Sequence, residues 1–185
     1  DVGYDRGQLL IIRNIDKLDN HARAFKANLL QVRGVEKATV TGFLPVGYYR
    51  TANTFFTSPS LDIKDAIQLQ SWRVDEDYLG TMGMQLLEGR NFSKEIAADT
   101  GSMILNESAA KFLGGQDILE SRLYGIEDEA TKTLKVFRVI GVVRDFNFSP
   151  LREPIKPLAF TFGHDDGAMT VRIQDSDIVR TVSAI

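Results

Sequence analysis

The 185-residue sequence has no cysteine, which excludes disulfides, thiolate nucleophiles, zinc fingers and iron–sulfur clusters. The compartment stays open, because a reducing cytosol and an oxidising periplasm both accept a cysteine-free chain. Histidine is nearly absent too, with only two residues, His21 and His164. No run approaches the ~20 apolar residues that a membrane-spanning helix needs. Neither sign of charge dominates: 22 Lys and Arg against 25 Asp and Glu leave a net charge of −3. That balance gives no electrostatic footprint for nucleic acid or an anionic membrane surface. Walker A, GxGxxG, HExxH, GxSxG and EF-hand patterns are all missing. The chain opens on Asp1 without a charged stretch and apolar run, so no signal peptide is expected in it. At the other end Ile178, Val179, Val182 and Ile185 keep helical spacing with no capping residue after them. The sequence therefore reads as a piece cut from a longer protein.

What is present is ordinary globular material, 43% apolar and 25% charged. Gln8 to Arg13 reads as a short buried strand, and Ala22, Phe25, Leu29 and Val32 form a helical stripe that Asp16 or Asp19 can cap. Gly34 ends that helix and Val35 to Leu44 follows as a second strand. Pro45 to Pro59, rich in Gly, Thr and Ser, reads as a long loop or loose hairpin. Ile67 to Val74 is strand-like with a shift of apolar phase that suggests a bulge, and Asp75 to Asp77 opens a short helix closed by Gly83. A strand at Met103 to Leu105 leads into a helix from Glu107 to Leu113 capped by Asn106. Leu134 to Val143 is apolar on both faces and is expected to be a covered central strand. Strands near Leu158 to Phe162 and Ala168 to Ile173 precede the last helix. The mixed order predicts an α+β fold.

Residues that could carry chemistry have plain structural readings. His21 sits in the first helix and reads as a surface residue. His164-Asp165-Asp166-Gly167 contains metal-ligand types, yet adjacent residues cannot easily converge on one ion, and a hairpin turn needs such a stretch. Glu127-Asp128-Glu129 reads as a solvated loop, since paired-carboxylate catalysis requires two groups held across a cleft. Asp145 is expected to accept backbone N–H bonds and tie down the adjoining loop. No catalytic, cofactor-binding or metal residue is assigned.

Three segments together resemble one family. Tyr78 to Ser93 (YLGTMGMQLLEGRNFS) fits "Y-x-x-x-(M/L)-G-M-x-L-x-x-G-R-x-F", and Asn106 to Gly114 (NESAAKFLG) fits "N-E-x-A-x-x-x-L-G". Val139 to Leu158 fits "V-I-G-V-V-x-D-F-x-(F/Y)-x-S-L-x-x-x-I-x-P", with Pro150 where the pattern often has Ser. In order and spacing they resemble the MacB-like periplasmic core domains of FtsX-like ABC-transporter permeases, and the third segment is most similar to those of the Bacteroidetes type. Gly83 and Gly89 suit tight reversals, Phe92 can cover the apolar turn between them, and Phe146 and Phe148 can pin the exit loop. These are folding determinants.

The resemblance implies two lobes: a porter-like strand–helix–strand subdomain from residues 1–87 plus 150–185, and a smaller inserted α+β subdomain at 88–149. It implies a non-catalytic periplasmic domain of an inner-membrane protein that couples ATP-driven motion of membrane helices to a partner or substrate. The implied partners are the membrane helices of its own full-length chain, a separate cytoplasmic ABC ATPase subunit, and a periplasmic adaptor or second permease copy. No cofactor and no nucleic acid are implied. Both termini should then lie at one end of the domain. Competing readings are a free periplasmic ligand-binding module and a hydrolase with an unrecognised site around His164 to Asp166. Tyr48, Tyr49, Arg50, Phe55 and Phe56 are the candidate partner-contact residues, because interface hot spots are enriched in aromatic rings with a neighbouring Arg. The alternative is that these rings fold back as a lid over the porter-like sheet.

Overall fold

The computed structural model describes residues 9–44, 52–115, 117–128, 130–131, 133–147, 154–165, 167–174 and 178–184. Its chain is α+β, with two sheets that bury their strands in different ways. The first sheet holds β1 (Leu9–Arg13), β2 (Val35–Val40) and β10 (Ala168–Ile173) in the order β1-β10-β2, with β10 antiparallel to both neighbours. Between β1 and β2 run a 3₁₀ turn (Ile15–His21) and α1 (Ala22–Leu29). Strand alternation sends Ala38 and Val40 of β2, and Met169, Val171 and Ile173 of β10, to one face, where they pack with Ile15, Ala22 and Leu29. Gly34, at φ 93°, turns the chain from α1 into β2. α4 (Ile178–Ala184) is tied to the same unit by Thr181, whose hydroxyl donates to Arg33 O.

The second sheet takes β3 (Ala52–Phe56), β4 (Ala66–Val74), β5 (Leu86–Gly89), β6 (Ser102–Asn106), β7 (Arg122–Asp128), β8 (Thr133–Val143) and β9 (Leu158–Phe162). Their order is β5-β8-β6-β9-β4-β3-β7, and β7 pairs with β8 as well as with β3, so the sheet closes on itself with β5 attached outside the ring. Phe55, Leu69, Met103, Leu105, Leu123, Phe137, Val139 and Ala159, from six strands, share one core, which is how a small closed sheet fills its interior. Ala109 and Ala110 of α3 (Glu107–Phe112) complete it. The glycine at 125 makes room there: a Cβ would stand 3.3 Å from the Phe137 ring. On the opposite face Trp72, Val74, Ile104, Ile140 and Phe160 form a second core with Phe92, Phe146 and α2 (Tyr78–Met82).

Several expectations change here. Residues 52–56 are a strand and not open loop: all five pair antiparallel with β4, which agrees with the hairpin alternative in part, and Phe55 and Phe56 are buried. The phase shift in β4 is no bulge, since its pairing with β3 and β9 runs without a break. It arises because Leu69 serves the interior core and Trp72 and Val74 serve the outer one. The stretch 163–167 is not a hairpin turn, because β9 and β10 belong to different sheets. β3, β4 and β9 join the seven-stranded sheet, so among the described strands the chain passes from one sheet to the other between β2 and β3 and between β9 and β10. Asp1 and Ile185, and with them the expected position of the termini, lie outside the described residues.

Candidate functional site

The feature with the most unusual chemistry is the seam where the first sheet meets the second. A three-stranded sheet buried on both faces would ordinarily be apolar on both. Here the face turned away from α1 carries Lys37 and Thr39 of β2 and Thr41 just beyond it, with Thr170 and Arg172 of β10 directly opposite Thr39 and Lys37. Thr39, Thr41, Thr170 and Arg172 are all buried. Their partners belong to the segment 73–81, which emerges from β4. Thr41 Oγ1 donates to Arg73 O at 3.1 Å, Arg172 Nε to Thr81 O at 2.8 Å, and Lys37 Nζ to Gly80 O at 3.5 Å. Apolar contact across the seam comes from Leu9, Phe43 and Leu44, partly buried against the outer core, with Phe43 stacked on Trp72 at 5.9 Å between ring centres.

Asp75 is the centre of this seam and is only 2% exposed. Its carboxylate accepts bonds from Thr39 Oγ1, from Val40 N at 2.9 Å, from Lys26 Nζ at 2.7 Å and from Asp77 N at 3.2 Å. A buried charge is tolerated only when paired and hydrogen-bonded, and Asp75 is both. Lys26, on α1, also reaches Asp77 at 2.6 Å. Burial works to lower the Lys26 pKa, but the attraction and hydrogen bonds of Asp75 and Asp77 together outweigh it and hold the ammonium above its ordinary value.

The two connectors cross beside each other at one side of the seam. Thr41 N donates to Ala168 O at 2.8 Å, and Asp165 Oδ1 accepts from both Gly42 N at 3.1 Å and Gly167 N at 3.0 Å. A Cβ on Gly42 would stand 2.6 Å from that carboxylate oxygen, so a side chain there would displace it. Arg23 of α1 donates to His164 Nε2, which makes His164 an acceptor on this connector.

The other residues singled out from the sequence are fastenings. Asp145 accepts from Ser108 N at 2.9 Å and Ser108 Oγ at 2.6 Å, so the backbone it secures is the start of α3. Asn106 caps α3 through Ala109 N and also holds Leu158 N, each at 2.9 Å. Arg90, in the "G-R-x-F" segment, forms a two-pronged pair with Asp99 at 2.7 and 2.8 Å. Hydrogen bonding from Arg90 leads the causes that hold the Asp99 carboxyl below its usual range. Phe92 stacks on Phe162 at 5.3 Å between ring centres, and Phe146 packs against Trp72 and Phe160. Asp128 folds back on its own turn through Ala130 N and Thr131 N. His21 is exposed. Among the described residues no three His, Asp or Glu side chains form a metal-ligand group, and no helix is long and apolar enough to cross a membrane.

Of the partner-contact candidates, Tyr48, Tyr49 and Arg50 lie outside the described residues. Phe55 and Phe56 are 4% and 7% exposed, and Phe55 meets Phe137 edge-on at 5.8 Å inside the closed sheet. Those two rings are buried strand residues of the seven-stranded sheet and form no lid over the three-stranded one. Sequence reasoning missed the seam. Asp75 reads as a helix-opening carboxylate, and the available signal is the polar alternation Lys37-Thr39, continued by Thr41, along a strand whose other face is apolar.

A family model for the MacB-like periplasmic core domain matches residues 4–184. Among solved structures, the periplasmic region of MacB from Actinobacillus actinomycetemcomitans superposes with a TM-score of 0.62 at 17% identity, over 98% of this chain and 81% of that one. The extracellular domain of the noncanonical ABC-type transporter YknZ from Gram-positive bacteria gives 0.56 at 13% identity, over 94% and 86%. A domain of a putative permease protein from Porphyromonas gingivalis gives 0.53 at 18% identity, over 81% and 66%. No curated protein matches the sequence.

Proposed function

Because the chain belongs to the MacB-like periplasmic core domain family, we propose that it works without catalysis, as the extracytoplasmic element through which an ABC transporter permease passes ATP-driven motion to a partner or substrate. It is the periplasmic domain of a MacB-like permease. The membrane helices of the full-length protein would deliver the motion and a cytoplasmic ATPase subunit would power it. The three-stranded sheet serves as the porter-like lobe in this reading, and the closed sheet as the lobe it carries. The observation that supports transmission is the seam: the Asp75 carboxylate is bonded at once to α1 and β2, so force on one sheet reaches the other through a charged, buried contact. A contact role for Tyr48, Tyr49 and Arg50 toward an adaptor or a second permease copy remains part of the proposal.

Replacing residues 9–184 by a short flexible linker in the reconstituted permease and ATPase tests this reading. ATP hydrolysis should persist while transport is lost. Undiminished transport without the domain would refute it, and so would turnover of a substrate by the isolated domain.

A further inference from the structure

We infer that the two sheets are separable units that open along the polar seam about the paired connectors, with Asp75 and Lys26 as the latch. Interfaces built to stay shut bury apolar surface, and hydrophobic cores do lie within each unit. The seam instead matches the polar type of interface across which relative motion is the ordinary expectation. Beside the Asp75 contacts, hydrogen bonds across it reach the backbone carbonyls of Arg73, Gly80 and Thr81, groups that water satisfies equally well once exposed. Thr81 Oγ1 and Thr170 Oγ1 are buried there without a hydrogen-bond partner among the described residues. Neither hydroxyl is bonded across the seam among the described residues, and opening would hydrate both.

The path of the chain suits a hinge. Among the described strands the chain passes between the units after β2 and after β9, and Thr41–Ala168 and Asp165–Gly42 bonds hold residues 41–42 beside residues 165 and 168. Rotation about that side needs backbone change in a few residues at element ends, the usual form of a domain hinge. The strongest contact opposing it is the carboxylate of Asp75, a residue of the second unit, against Lys26, Thr39 and the Val40 amide of the first. This inference concerns the chain by itself and holds whether or not ATP drives the opening.

The absence of cysteine makes the test direct. Spin labels on Ala27→Cys in α1 and Lys111→Cys in α3, both exposed, report the distance between the units by pulsed electron paramagnetic resonance. The Asp75→Asn variant should raise a second, longer distance population about tenfold or more over the parent. Amide protection in β6 and β8 should be kept. Asp99→Asn, which weakens a fastening inside the second unit, should leave the distances unchanged. If Asp75→Asn fails to fold, Lys26→Met, which leaves the Thr39 and Val40 bonds in place, should give the same added population. An unchanged distribution in both seam variants would overturn the inference, as would equal broadening by Asp99→Asn. Loss of core protection in both seam variants would overturn it too, since the units would then unfold together instead of separating.

Discussion

Replacing Asn106 by Ala should cost the fold far more than a surface change, and the size follows from its three bonds. The side chain is fully buried at the junction of β6 and α3. Its Oδ1 accepts from Ala109 N and Leu158 N, and its Nδ2 donates to Lys156 O at 3.1 Å. Losing a helix cap costs about 1 kcal/mol. The Leu158 amide is then left buried without an acceptor, which costs about 1–3 kcal/mol more. The total of about 2–4 kcal/mol lowers the melting temperature of a chain this size by roughly 5–15 °C. Asn106→Ser separates the two contributions, because a hydroxyl can cap α3 but is too short to hold β9 as well. Chemical denaturation of the three proteins should rank them parent, Ser, Ala. Stability of the Ala variant within about 0.5 kcal/mol of the parent would refute the double fastening. Equal stability of Ser and parent would refute the link to β9.

Three further outcomes follow from the same geometry. Gly89 has φ 73°, and a Cβ there would lie 2.1 Å from Ile140 O, so Gly89→Ala should destabilise by about 3 kcal/mol or more or yield insoluble protein, as a melting curve would show. Phe55→Ala should cost about 3–5 kcal/mol, whereas Ile63→Ala, at an 87% exposed position, should stay within about 0.5 kcal/mol by urea titration. Asp99 has a depressed carboxyl pKa, so the stability it supplies is complete above the ordinary carboxylate value near ~4 and is lost as pH falls through its lower folded value. The stability gap between parent and Asp99→Asn should therefore hold steady from neutral pH to about 4 and narrow below it.

The parts of this fold that could be read in the sequence are those whose cause is local. Asn106 followed by Glu107 and two alanines signals a capped helix, and the structure has one there. β8 is apolar on both faces where it runs between β5 and β6, as its residues imply, and its first half pairs with β7 instead. β3 escaped because Ala52–Phe56 follows a Gly-, Tyr- and Thr-rich stretch, and its two phenylalanines become core only through β4, β7 and β8. The connector at 163–167 has turn composition, and nothing in it tells that the strands on either side enter different sheets. The seam was the least legible part. Lys26 and Asp75 stand 49 residues apart, and Asp75 next to Glu76 and Asp77 has the appearance of a solvated helix start. Only the pairing of β2 with β10 assembles the polar face that receives it.

The central claim, that the domain relays motion, is tested most directly by hydrogen exchange on the full-length permease with its ATPase, compared without nucleotide and trapped with ATP. The account predicts that exchange changes on ATP binding at the seam amides, Val40, Gly42 and Asp77, whose N–H groups are held by Asp75 and Asp165. Amides in the buried strand β6 should keep the same protection in both states. Identical exchange throughout the domain in the two states would contradict the claim.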